Sequence, residues 1–463
     1  MFLLAWFVYF NWDALLVHFA PDDPMNLNHY WHIRFRQLLF LQFMPWRGPY
    51  RPMGGLFYRG MLHFFGLNPV PYHAAVLLVL LAIVYLVYRL ARALGCGELA
   101  AGLAALGACY QAGLSNLYYD TAFVFDVLAC FFYLAAFVYY ARIRGTGRPL
   151  KAREIVVHLG LYLCALNSKE MAATMPAVLL AYEWFYHKLP RGPKALAVWL
   201  FGPGRTILLG AVLDCGFLYG TMLRPGALVI QPGYQPAFSL ARFMDFYSQA
   251  FSDLFETRGD LGWAGAVLVW VVISYLAWRC DRPVLRFCWA CLVITPMPLA
   301  VLAGRRGACL AIPFAFMTVF AAVVFLDLAR AGACFLATER AFRRYAPRHL
   351  FAAICVVGMA SWGLQNDFAK TSDVKRSMNE LGQTTSQAID QLRKLHPHVE
   401  PGSSVVFLND PFEGWDMAFI AEVWFNDHSL DIKLARKTPF TSAELSRVNH
   451  LFTFENGTLR QLK

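Results

Sequence analysis

Apolar stretches long enough to cross a bilayer recur along this chain, and that recurrence limits its fold more than any other feature. Candidate spans lie near residues 1–20, 71–90, 99–118, 121–141, 155–167, 171–187, 205–223, 262–279, 284–303, 308–329 and 349–365. A helix needs about 20 apolar residues to cross the ~30 Å hydrocarbon layer. The 463 residues are 58% hydrophobic and only 15% charged, against about 25% charged in an ordinary soluble domain. The expected fold is therefore a polytopic all-α membrane protein of about 11 transmembrane helices. The first run has neither a basic leader nor a small-residue cleavage site, so it reads as a retained helix and not a signal peptide. The 11 cysteines fall mostly inside apolar spans. They form no CxxC pair and no His/Cys cluster at metal spacing, so neither a disulfide framework nor a zinc site is implied.

Basic residues give the orientation, because Lys and Arg accumulate in cytoplasmic connections. Alternating from a cytoplasmic N-terminus, the inner connections hold 19 of them, including Arg142, Arg144, Arg148, Lys151 and Arg153, whereas the longer outer ones hold 11. The net charge of +11 follows from this topology, and no basic stripe interleaved with aromatics calls for a nucleic-acid partner. The bias places the long loops on the outside, as expected for a bacterial inner (plasma) membrane protein facing the periplasm or exterior.

Two outer segments are too long to be turns. Residues 21–70 contain an amphipathic stretch, His29 to Phe43, and a second apolar stretch, Met53 to Phe65; residues 224–261 contain Phe238 to Phe255. Each is expected to form interfacial helices. These loops belong to a membrane domain spanning 1–365. Composition then changes, and 366–463 reads as a small soluble α/β domain outside the membrane. Val374, Met378, Leu381, Ala388, Leu392 and Leu395 share one helical face, Ser404–Leu408 reads as a buried strand, and 455–457 is a turn between two strands.

The unusual charges fall at one membrane level. Asp22-Asp23, Tyr50-Arg51, Tyr119-Asp120, Ser168-Lys169-Glu170 and Arg305-Arg306 all sit at the outer ends of spans. Asp22-Asp23 is either a cation or proton site or a polar helix end. Asp120 alone reads as a helix N-cap. The Arg305-Arg306 pair either binds phosphate or snorkels to lipid headgroups. Lys169-Glu170 is the sharpest signal. Its two flanking spans share only the 33 residues from Ile155 to His187, so at about 1.5 Å per residue each arm reaches roughly 24 Å. The turn should then lie below the outer surface in a protein-lined cavity, where a charge is a functional candidate. Its alternative is an internal Lys169–Glu170 pair. Asp13, Asp126, Asp214 and Glu183, within spans, are expected to make polar contacts between helices.

Asp22-Asp23, Tyr50-Arg51-Pro52, Asp120 and Ser168-Lys169-Glu170, with Arg305-Arg306 near the last spans, resemble the pattern of the GT-C glycosyltransferases. The likeness is to the branch of protein O-mannosyltransferases and of transmembrane proteins carrying tetratricopeptide repeats. It is specific over residues 20–190 and only topological from there to 365. The repeats are absent, and Tyr-Tyr precedes Asp120 where the repeat-bearing relatives tend to have a basic residue. The resemblance implies transfer of a sugar from a polyprenyl-phosphate donor to an acceptor hydroxyl on a protein, lipid or glycan. The chemistry needs a base, Asp22 or Asp23, and cations for the leaving phosphate, with Arg51, Lys169, Arg305 and Arg306 as candidates. Tyr50 and Glu170 belong to the same substrate-binding set. Asp120 would orient the acceptor, the base or a metal. A divalent ion, Mg or Mn, is permitted but not demanded, with Asp22, Asp23 and Asp120 as its carboxylates. A transporter, flippase or polymer ligase for lipid-linked sugars is the alternative, and a non-catalytic assembly partner a third.

Overall fold

The computed structural model describes residues 1–44, 51–187, 189–223, 235–255, 260–302, 305–371, 375–455 and 457–463. The first apolar run stops being an α-helix where polar residues enter it. Helix α1 (Phe2–Asn11) gives way to a 3-10 turn, Trp12–Leu16. Asn11 donates its amide to the carbonyls of Phe7 and Cys109 at 2.8 and 3.1 Å, while Asp13 accepts from the Tyr119 hydroxyl at 3.0 Å and pairs with Lys370 at 2.9 Å. Helices α2 (Asp22–Tyr30), α3 (Phe35–Leu41) and α4 (Pro52–Phe65) follow, then the long α5 (Pro69–Ala93). The expected span 99–118 is likewise divided, into α6 (Glu98–Gly107), a 3-10 turn and α7 (Asn116–Tyr119).

Helix α8 (Val124–Arg144) leads into the short hairpin of α9 (Ala152–Leu166) and α10 (Met175–His187). Helices α11 (Pro193–Phe201) and α12 (Arg205–Leu218) meet at a bend of 80°. Then come α13 (Leu240–Phe255), α14 (Gly262–Arg279), α15 (Pro283–Ile294), α16 (Met297–Ala300), α17 (Ala311–Thr338) and α18 (Pro347–Ala369). Among the described residues, five helical segments are long and apolar enough to cross a membrane, or six if the bent pair is one span. This makes the chain an integral membrane protein, but the count of eleven is not found. Several of the other expected runs form helices shorter than a span: the first leaves the α-helix where Asn11 and Asp13 enter it, 99–118 breaks after Gly107, and α9 and α10 have only 15 and 13 residues.

The core is built around α8 and α17, whose apolar windows are 67% and 83% buried. Helix α8 packs against α5 and α9, and α17 against α6, α15 and α18. Phe137 of α8 stacks on Phe287 of α15 at 5.3 Å between ring centres, with Tyr182 and Phe316 edge-on to the pair. The carboxylates within the spans make the expected polar contacts. Glu183 takes a two-pronged contact from Arg144 at 2.7 Å and a bond from Tyr140 at 2.8 Å, Asp214 accepts from Tyr162, and Asp126 pairs with Lys169.

Beyond α18 the chain forms a small α/β domain. Helix α19 (Lys375–Leu395) precedes β1 (Ser404–Leu408), α20 (Asp416–Phe425), β2 (Asp431–Leu434), α21 (Ser442–Arg447), β3 (His450–Glu455) and β4 (Thr458–Gln461). The strand order is β2-β1-β3-β4, with β1 parallel to both neighbours and β3–β4 an antiparallel hairpin. Val405 and Phe407 of β1 are fully buried in the same apolar core as Ala388 and Leu392 of α19 and Met417 and Ala421 of α20. Helix α20 also packs on α2, with Asp416 at its start near Asp22.

The Arg144–Glu183 pair gives a stability prediction. Removing one member leaves a buried charge without a partner, so Arg144→Ala should lower the unfolding free energy by about 3–5 kcal/mol. The Arg144→Met, Glu183→Leu double variant should recover most of that loss. Thermal unfolding in detergent measures both, and equal losses in the two variants would contradict a charge-desolvation origin.

Candidate active site

Asp22 and Asp23 open the first turn of α2, where the helix dipole favours negative charge. The two carboxylates face different surroundings. Asp23 is fully buried: one oxygen accepts from Thr121 at 2.6 Å and Tyr58 at 2.9 Å, and the other from the Ala20 N–H at 2.9 Å. Asp22 is exposed, and no hydrogen bond or ion pair engages its carboxylate among the described residues. Burial pushes the Asp23 pKa up to about 6, opposed by the bonds from Thr121, Tyr58 and Ala20 and aided by the charge of Asp22.

Thr121 is supplied by the start of the helical run that becomes α8, and Tyr58 by α4. The Tyr58 hydroxyl also reaches the Thr121 carbonyl at 3.0 Å. Helix α4 can come this close because it carries two glycines on the facing side. A Cβ on Gly54 would lie 1.9 Å from the Phe125 ring, and one on Gly55 would lie 2.7 Å from Tyr30. Asp120 is half-buried and caps the 3-10 turn Thr121–Phe123 through the Ala122 N–H at 2.9 Å. The N-cap expected for it is thus present. Burial, then the charge of Asp23, raises its pKa well above the usual carboxylate range, and Asp22 and Asp126 add to this.

Arg51 enters α4 in the left-handed conformation, φ 57°, and forks onto Glu170 with contacts of 3.0–3.3 Å. Its guanidinium also lies 5.2 Å from the Phe125 ring centre, while Tyr30 donates to its carbonyl at 3.2 Å. Arg51 and Glu170, 119 positions apart in sequence, therefore meet at the base of α8. For Glu170, burial works against the charge, but Arg51 and Lys169 outweigh it and hold the pKa below the usual value. Lys169 does not pair with its neighbour Glu170. It turns inward to Asp126, with Cys309 at 3.5 Å, and is only 7% exposed.

That Cys309 contact brings the chain after Arg305-Arg306 to the same region. Arg306 is exposed and reaches Asp260 at 3.3 Å, the Gly307 N–H donates to Asp253 at 2.9 Å, and Arg305 is half-buried beside them. Tyr50 lies outside the described residues. Sequence reasoning does not single out Thr121 and Tyr58, of which only Thr121 has a local signal, as the residue next to Asp120; it marks Asp126 as a polar contact between helices but not as the partner of Lys169. Among the described residues no three of His, Cys, Asp or Glu converge as metal ligands. Asp23 is already engaged by three protein donors.

The described geometry defines a membrane protein with a buried polar cluster at one end of its helices and a small α/β domain above it. No protein-family model and no curated protein matches the sequence. Among solved structures, the chain is similar to the crystal structure of an Archaeoglobus fulgidus oligosaccharyltransferase tethered through a disulfide to an acceptor peptide containing the NVT sequon. The identity is 12% and the TM-score 0.49, over 90% of this chain and 59% of that one. The chain thus spans well under two thirds of that protein, and a likeness of this degree leaves function to be argued from the site.

The raised Asp23 pKa makes a signed prediction. The folded protein holds that proton more tightly than the unfolded chain does. Its contribution to stability is complete below the ordinary carboxyl value of about 3.9 and is lost as pH rises through about 6. Asp23→Asn cannot titrate, so the melting temperature of wild type relative to this variant should fall between about pH 4 and pH 6. Thermal melts across that range provide the measurement, and a difference that does not vary with pH would contradict the raised pKa.

Proposed function

We propose that this chain is an integral-membrane glycosyltransferase of the GT-C type, transferring a sugar from a polyprenyl-phosphate donor to an acceptor hydroxyl. The observation that carries this reading is the convergence of Asp22-Asp23, Arg51, Asp120 and Lys169-Glu170, distant in sequence, around the Tyr58–Thr121 contact at the base of α8. Within it one carboxylate, Asp22, is open while its neighbour is locked in place.

In this reading Asp22 is the general base. It takes the proton from the acceptor hydroxyl as that oxygen bonds to the sugar C1. The C1–O bond to the phosphate breaks, and its electron pair leaves with the lipid phosphate. One displacement inverts the anomeric centre. Asp23 positions Asp22 through its three hydrogen bonds, and Asp120 orients the acceptor. Arg51 and Arg305-Arg306 supply guanidinium groups suited to phosphate oxygens. Lys169 acts through its pair with Asp126, fixing the turn that presents Glu170 to Arg51. The expected setting is a bacterial inner membrane with the site and the α/β domain on the outer side; the acceptor is a protein, lipid or glycan.

The test is sugar transfer by purified protein from a panel of polyprenyl-phosphate sugars. Asp22→Asn should lose about 10²–10⁴-fold in kcat, the range of a general base, with its melting temperature kept. Arg51→Ala should lose activity through a raised donor KM, and the product should have the inverted anomeric configuration. Full activity of Asp22→Asn would overturn the enzymatic reading. Sugar-lipid translocation in vesicles without transfer would favour a transporter or flippase instead.

A further inference from the structure

The contact between α2 and the α/β domain contains an arrangement unexplained by packing alone. Trp31, just past the end of α2, is buried, and the imidazole of His428, just past the end of α20, lies flat on it at 4.0 Å and 22°. His32 meets the same His428 ring edge-on at 4.5 Å and 87°. Beside these rings Asn28 donates to Glu422 at 2.6 Å. At the other end of α20, Asp416 is within electrostatic reach of Asp22. The domain therefore packs along α2, with Asp416 near Asp22 at one end and two imidazoles in contact at the other.

We infer that acid releases the α/β domain from α2, with the His32–His428 contact as its proton-sensitive latch. Two neutral imidazoles pack edge to face without cost, whereas two imidazolium ions 4.5 Å apart repel. The ionisable groups facing this contact are His29 beside α2's end, Arg59 of α4, Glu422 of α20 and Asp427 in the turn after it. Glu422 favours a charged His32, but Asn28 already engages it. Arg59 and His428 oppose that charge. Charged His428 would gain some attraction to the Trp31 face.

The balance is set by burial, which with the charge of His428 holds the His32 pKa below its ordinary value. Burial and His32 do the same for His29. Undocked, His32 and His29 thus bind protons more readily than when docked. Docking is complete above the ordinary histidine value of about 6.5 and weakens as pH falls through it. The second foothold, Gly382 of α19 packed against His18, has its closest approaches to the His18 backbone and Cβ. The release is therefore of the α20 edge from α2, and it does not rest on the proposed catalytic role.

The experiment is hydrogen exchange with mass spectrometry on the full-length protein in detergent, at about pH 7.5 and about pH 5.5, corrected for intrinsic exchange rates. In wild type, protection of residues 22–32 and 416–425 should fall several-fold in acid, while β1 stays protected. His32→Gln with His428→Gln should abolish the acid effect. A wild type equally protected at both pH values would overturn the proposal, as would an undiminished acid effect in the double variant. Parallel loss of β1 protection would also overturn it, since the domain would then be melting and not undocking. If the double variant is already unprotected at the higher pH, His428→Gln alone makes the same comparison. None of these readouts requires catalysis, so a failed transfer assay leaves this inference standing.

Discussion

A carboxylate placed among apolar helices must be paired, hydrogen-bonded or neutralised, because water cannot solvate it there. That requirement organises this protein. Asp13, Asp126, Asp214 and Glu183 each take a partner from another part of the fold. Asp23 binds Tyr58 of α4 and Thr121 at the start of the α8 run, and so fastens three elements with one carboxyl group. A well-satisfied buried network of this kind is rigid, since any displacement leaves a polar group unpaired in a low dielectric. Asp22 inherits that rigidity by being next in the chain, and it remains the open member of the pair.

The same logic explains why the basic residues separate into two kinds. Lys169 and Lys370 are buried against Asp126 and Asp13 and act as internal fasteners. Arg51 is partly buried and grips Glu170 through a planar fork, a geometry equally suited to phosphate. Arg306 is exposed on a polar segment. The fasteners give the cluster its position, and the guanidinium groups give it a chemistry toward anions. The α/β domain adds a third layer, bringing Asp416 near Asp22 and two histidines to the rim.

Much of the site is legible in the sequence, because its charges are costly where they stand. Asp22-Asp23, Asp120 and Ser168-Lys169-Glu170 interrupt apolar sequence, and the short arms around Lys169 imply a buried turn. The pairings are less legible. Adjacent residues such as Lys169 and Glu170 suggest one another as partners, yet they point to different neighbours in the fold, Asp126 and Arg51. Thr121 and Tyr58 are ordinary residues for apolar helices, and only their approach to Asp23 gives them a role. The count of eleven spans is not recovered for a related reason. Hydropathy averages over Asn11 and Asp13, whereas the backbone responds to each of them individually.

The apolar helical character, the α/β segment at the C-terminal end, strand β1 and the set of charged residues worth attention all follow from the amino-acid order alone. They rest on composition, periodicity and the energetic cost of isolated charge, which are local properties of the chain. Folding had to settle the rest: which carboxylate is locked and which is open, which cation serves each acid, and that α20 lies over α2. Those outcomes depend on contacts between residues up to several hundred positions apart. Their energies are set by burial and distance, and neither quantity exists until the chain has folded.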